Sequence, residues 1–147
     1  MDARRFATGT VVGGIVLFVA GYVIFEIAFA GFYAANVGSA SGVVRDPVIP
    51  WALAVASLSY AALIVFALGN QAAPLTIGRG ALVGAIVGFL MWMTADFVIY
   101  GISNVATLAR TIVDPLLELV HGGLGGASIA AVLQRNAPLR AQARASV

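Results

Sequence analysis

Four long apolar stretches alternate with short polar breaks along the 147-residue chain. The first, over about 8–35, holds one ionisable side chain, Glu26. It gives way to a polar, glycine-rich loop from Asn36 to Pro47. The second covers 47–69, with Pro50 suited to a first helical turn and Trp51 to an interfacial anchor; its polar side chains are Ser57, Ser59 and Tyr60. A turn over 70–74 leads to the third, 75–101, in which Gly80, Gly84 and Gly88 recur every four residues before Trp92, Thr94, Asp96 and Tyr100 change its character. A semi-polar connector, Ile102 to Arg110, precedes the fourth, 112–133, with Pro115 expected in its first turn. Each run is long enough to cross a hydrocarbon layer of ~30 Å at about 1.5 Å per residue. The pattern predicts an all-α, up-down-up-down bundle of four transmembrane helices in one domain, 1–147, with 134–147 as a basic tail.

Composition agrees. The chain is 61% hydrophobic and 10% charged, against roughly 25% charged in a soluble domain, so it cannot coat a water-facing surface. It has no cysteine, which excludes disulfides and thiolate ligands. The net charge of +2 is no argument for nucleic acid. The placement of the arginines says more: Arg4, Arg5, Arg79, Arg135, Arg140 and Arg144 fall on one side of a four-span topology, Arg45 and Arg110 on the other, which predicts that both termini are cytoplasmic. Arg4 and Arg5 ahead of an apolar run, with Ala28-Phe29-Ala30 beyond it, imitate a signal peptide, but about 25 apolar residues exceed the usual h-region, so a retained span is expected.

That topology places Glu26, Asp96, Asp114, Glu118 and His121 in the outer half of the membrane, with the inner half left to glycine, alanine and aliphatics. Asp114, Glu118 and His121, at steps of four and three, share one helix face. Ionisable groups in lipid are costly and have a partner or a task. One reading is a shared polar cavity binding a small ligand, cation or proton, with Tyr100 and Asn104 at its mouth. Glu118 and His121 also form Glu-x-x-His, a spacing that binds metal from one helix. A di-iron site would need a second such pair, which the chain lacks; a single metal ion held by His121, Glu118 and a carboxylate from another span is the remaining metal option. A haem on His121 lacks a second axial ligand. Plainer readings stand beside these: Asp114 as a water-exposed residue at a helix start, Asp96 paired with Arg110 or Arg45, His121 bonded to a neighbouring carbonyl, and Glu26 sharing a proton with Glu118. The glycines, including Gly122-Gly123 and Gly125-Gly126, read as packing devices. No Ser-His-Asp arrangement or dinucleotide fingerprint points to an enzyme, although action on lipid stays open.

The stretch Tyr100-Gly101-Ile102-Ser103-Asn104-Val105-Ala106-Thr107-Leu108, followed by Thr111 and Asp114, resembles a family of small four-span bacterial membrane proteins. Those carry Tyr-Asp-Leu-Thr-Asn-Leu-Ala-Thr-Leu at the end of the third span and Thr-x-x-Asp at the opening of the fourth. Glu26, Phe29, Phe32 and Tyr33 resemble the acid and aromatics of that family's first span. Here Gly101 stands at the family's aspartate, with Asp96 one turn earlier, and the tryptophan that follows the family's fourth-span aspartate is absent. The resemblance implies the four-span architecture and a bacterial inner-membrane location, and no activity.

Two functions follow as expectations. In the first, the acids converge on a cavity that takes a ligand, cation or proton. In the second, the chain is a structural subunit of a homo-oligomer or larger membrane complex, with Gly80, Gly84 and Gly88 bare on the bundle exterior.

Overall fold

The computed structural model describes residues 2–70 and 74–145, with side chains through Arg135. The side chains of Arg140 and Arg144 lie outside the described residues. The chain is an all-α bundle built from α1 (Ala3–Gly21), a π-helical segment (Tyr22–Ala28), α2 (Ala30–Ala35), α3 (Pro50–Gly69), α4 (Ile77–Ile102) and α5 (Leu108–Ala145). Four helical stretches, Ala3–Ala28, Pro50–Gly69, Ile77–Ile102 and Leu108–Arg135, are long and apolar enough to cross a membrane. Among the described residues there is no strand, only one antiparallel bridge between Val37 and Ala106.

Local chemistry fixes the helix ends. Asp2 caps α1 by accepting from the Arg5 amide at 2.9 Å, and Thr76 caps α4 by accepting from the Arg79 amide at 3.1 Å. Pro50 opens α3, as its fixed φ and missing N–H allow. Thr107 does the same service for α5, accepting from the Arg110 amide at 3.3 Å. That cap starts α5 at Leu108, earlier than the polarity of the connector implies. Arg110 is thus helical, and Pro115 sits well inside α5 rather than in its first turn. There it removes the helix bond that the Thr111 carbonyl would accept.

The core consists of Leu17, Tyr60, Ala61, Ile64, Val65, Leu68, Val83, Ile129 and Leu133. Apolar side chains such as Phe66, Leu82, Leu90 and Val120 lie exposed around it. A soluble domain rarely leaves so much apolar area in water; in a bilayer this is the face that lipid covers. Packing between α4 and α5 is backbone on backbone. A Cβ at Gly80 would strike the Gly126 carbonyl, one at Gly84 the Gly122 carbonyl, and one at Gly126 the Gly80 carbonyl. Small residues allow this approach and let dispersion hold helices together where lipid offers no hydrophobic drive. The glycine ridge of α4 is therefore consumed inside the bundle, not bare on its surface.

The two ends of the bundle differ. At one, Arg5 reaches the Leu133 carbonyl and Gln134 donates to the Leu75 carbonyl at 2.7 Å, joining α1, the start of α4 and α5. At the other, the loop after α2 pairs with the α4–α5 connector: the amides of Gly38 and Ala40 donate to Val105 and Asn104, and the Thr107 amide donates to Asn36. Asn36 is fixed twice more, by the Thr107 hydroxyl at 3.0 Å and through its own amide to Phe32 at 2.9 Å. This loop end carries the candidate site.

Candidate functional site

The polar face of α5 descends from the loop end in the order Thr111, Asp114, Glu118, His121, and all four are buried. His121 is at the midpoint of the Leu108–Arg135 span. Its Nε2–H donates to the Leu17 carbonyl at 2.8 Å. A carbonyl only accepts, so Nε2 carries the hydrogen. Nδ1 faces Glu118 Oε2 at 2.9 Å, and the Tyr60 hydroxyl donates to that same oxygen at 3.1 Å. One proton lies between imidazole and carboxyl, and the group as a whole ties α5 to α1 and α3. Tyr60 and Phe25 meet the imidazole edge-on, with centroids at 5.7 and 5.5 Å. Gly21 leaves the room this needs, since a Cβ there would lie 3.3 Å from Nε2.

The first membrane helix changes form where it meets this group. After Gly21 it widens into the π-helical segment, closed by the Phe29 amide donating to Ile24 at 2.9 Å. Such segments recur at functional sites because the extra residue re-aims the side chains that follow. Here Phe25 turns toward His121 and, further on, Tyr33 turns toward Asp114. The Tyr33 hydroxyl donates to Asp114 Oδ1. Arg110 lies over the Tyr33 ring, 4.9 Å from its centroid, a cation–π contact.

Above these residues is a cavity of about 510 Å³, between the loop end of α4, the first turns of α5 and the loop after α2. Its walls are mainly apolar, from Val37, Val43, Val44, Ile99 and Val105; Asp96, Asp114, Arg110, Thr111 and Trp92 supply the polar groups. Trp92 and Asp96 are four residues apart on one face of α4. Asp96 Oδ2 and the Trp92 indole N–H are both buried without a hydrogen-bond partner. Asp96 lies within electrostatic reach of Asp114, Arg110 and Glu118, yet among the described residues it has no ion pair. The expected pairing of Asp96 with Arg110 or Arg45 is thus not formed.

The structure brings together Asp96, Asp114, Glu118 and His121, and leaves out three other candidates. Glu26 is exposed on the outside of the bundle. Depth alone had grouped it with the others, but the helix turns it away, so it shares no proton with Glu118. Tyr100 is 41% exposed and does not line the cavity. Asn104 contributes its backbone carbonyl to the loop pairing, while its side chain faces outward. Both imidazole nitrogens and Glu118 Oε2 are engaged in hydrogen bonds, Glu118 Oε1 is buried without a partner, and no cluster of three potential metal ligands occurs among the described residues. Of the plain readings, the bond from His121 to a neighbouring carbonyl is the one observed. Asp114 is not a water-exposed helix start, being 9% exposed and bound by Tyr33.

Tyr60, Tyr33, Trp92 and Arg110 are partners that sequence reasoning did not place in the site. Tyr60 gave one signal, as the lone phenol in a span free of charge. The chain matches no protein-family model, no curated protein and no solved structure.

Proposed function

We infer that this four-span membrane protein binds a small organic cation in the loop-end cavity, with Asp96 as the counter-charge and Trp92 as the aromatic contact. The observation that carries this reading is the unpartnered, buried Asp96 carboxyl oxygen, one helical turn from Trp92, in a cavity whose walls are mainly apolar. A buried acceptor without a donor is costly, and a cation or donor supplied by a ligand removes that cost. A volume of about 510 Å³ falls in the range of small-molecule sites, roughly 300–1,000 Å³. Arg110 does not fill the role: it is held over Tyr33 and makes no ion pair with Asp96. An aromatic side chain and apolar walls in the lining favour a cation with a hydrocarbon body over a hydrated metal ion.

In this reading Glu118 and His121 do not meet the ligand. They lock α5 to α1 and α3 beneath the cavity and keep its floor rigid. The arginine bias and the family resemblance support a bacterial inner membrane with both termini cytoplasmic, so that the cavity opens away from the cytoplasm. The test is saturable binding of benzyltrimethylammonium to the purified protein, lost in Asp96→Asn.

A further inference from the structure

Glu26 is the acid of the apolar spans that lies outside the polar cluster. It sits on the π-helical segment, exposed, with no hydrogen bond or ion pair among the described residues. Ala35, where the helix ends, is nine residues further on, about 13 Å away by helical rise. Helical side chains lean toward the N-terminus, so the carboxyl leans away from the nearer membrane surface and into the hydrocarbon. Acyl chains offer it no donor, and an ionisable group facing them is costly. Tyr22, one turn earlier, is 60% exposed and also without a partner. Ile15, Val19, Tyr22 and Glu26 follow at steps of four, three and four and form one stripe. A groove of about 220 Å³ over Gly14, between Val19 and Leu58, continues that stripe toward the N-terminus.

We propose that this stripe is the contact of a parallel two-fold dimer, and that its occupant is a second copy of the chain. Two copies inserted the same way are related by an axis along the membrane normal, so a residue meets its own counterpart and that counterpart's neighbours one turn away. The stripe carries one donor, the Tyr22 phenol, and one acceptor, the Glu26 carboxyl, one turn apart. Each copy's Tyr22 hydroxyl thereby donates to the other's Glu26, and both polar groups are satisfied without any basic residue. The groove over Gly14 receives an aliphatic side chain of the facing helix. The exposed face of α4, by contrast, presents Leu82, Ile86 and Leu90, which suit lipid.

The chain has no cysteine, so single cysteines report on this contact cleanly. Oxidative cross-linking in native membranes is expected to give a homodimer from Ile15→Cys and Val19→Cys and none from Leu82→Cys or Leu90→Cys. Adding Glu26→Leu to Val19→Cys is expected to reduce the dimer about three- to tenfold, the worth of one or two interhelical hydrogen bonds. Leucine is at home in lipid, so the folded monomer persists, as thermal unfolding in detergent will verify. Equal cross-linking from the α4 cysteines, no dimer from α1, an adduct with a different protein, or a dimer indifferent to Glu26→Leu would each overturn the proposal. None of these outcomes bears on the cavity, whose residues are untouched.

Discussion

His121 Nε2 donates to the backbone carbonyl of Leu17 at 2.8 Å, a hydrogen bond joining the middle of the Leu108–Arg135 span to the C-terminal part of α1. Because the other ring nitrogen meets Glu118, and Glu118 meets Tyr60, three helices depend on one imidazole. Replacing His121 by Ala removes the bond to Leu17 and strands a buried carboxyl. The expected loss is about 2–4 kcal/mol of unfolding free energy, measured by denaturant titration in mixed micelles. Glu118→Met combined with His121→Phe should cost less than the sum of the two single changes, by at least about 1 kcal/mol. Strict additivity would show that the pair is not coupled.

Tyr33 does two jobs that mutation separates. Tyr33→Phe keeps the ring under Arg110 but removes the donor to Asp114, at an expected cost of about 1–2 kcal/mol. Tyr33→Ala also loses the cation–π contact and should be worse by about 0.5–1 kcal/mol. The same unfolding titration reads both, and identical values would mean that the arginine contact contributes nothing.

Gly84 tests the backbone contact between α4 and α5. A single methyl there would collide with the Gly122 carbonyl, so Gly84→Ala, ordinarily a helix-favouring change, should destabilise by about 1–3 kcal/mol. Gly78→Ala, where a Cβ meets nothing within 4 Å, serves as the control and should be neutral or stabilising. A neutral Gly84→Ala would show that the two helices sit further apart.

Gly38 pairs the loop after α2 with the α4–α5 connector. A Cβ there would run into the Asn104 carbonyl, so Gly38→Val should break the pairing of the two loops. Limited proteolysis is expected to cut the loop after α2 faster in the variant than in the wild type. Unchanged cutting would mean that the pairing does not restrain the loop.

The spans were legible because lipid imposes a simple rule on composition, and the chain obeys it over each of the four. The spacing of Asp114, Glu118 and His121 likewise showed a shared face, since all three lie on one unbroken helix. Glu26 misled because hydropathy gives depth but not the direction a side chain takes around the helix axis. The π-helical segment shifts that direction, and no residue in Tyr22–Ala28 announces it. Arg110 blurred the start of α5 because its charge read as connector, whereas the Tyr33 ring lets it lie on the helix. Tyr60 and Trp92 became partners only through the register between helices, which Gly88 and Gly122 set by close approach to the Tyr60 hydroxyl. That register is a property of pairs of helices and is not written in either alone.

Binding at Asp96 is the central claim, and Trp92 reports on it directly. The chain has two tryptophans, and Trp51→Phe leaves Trp92, in the cavity wall, as the sole tryptophan. Titrating this variant in detergent with benzyltrimethylammonium should give a saturable change in Trp92 fluorescence that vanishes in Asp96→Asn, and benzenesulfonate should give none. A response that persists in Asp96→Asn, that the anion reproduces, or that never saturates would contradict the account.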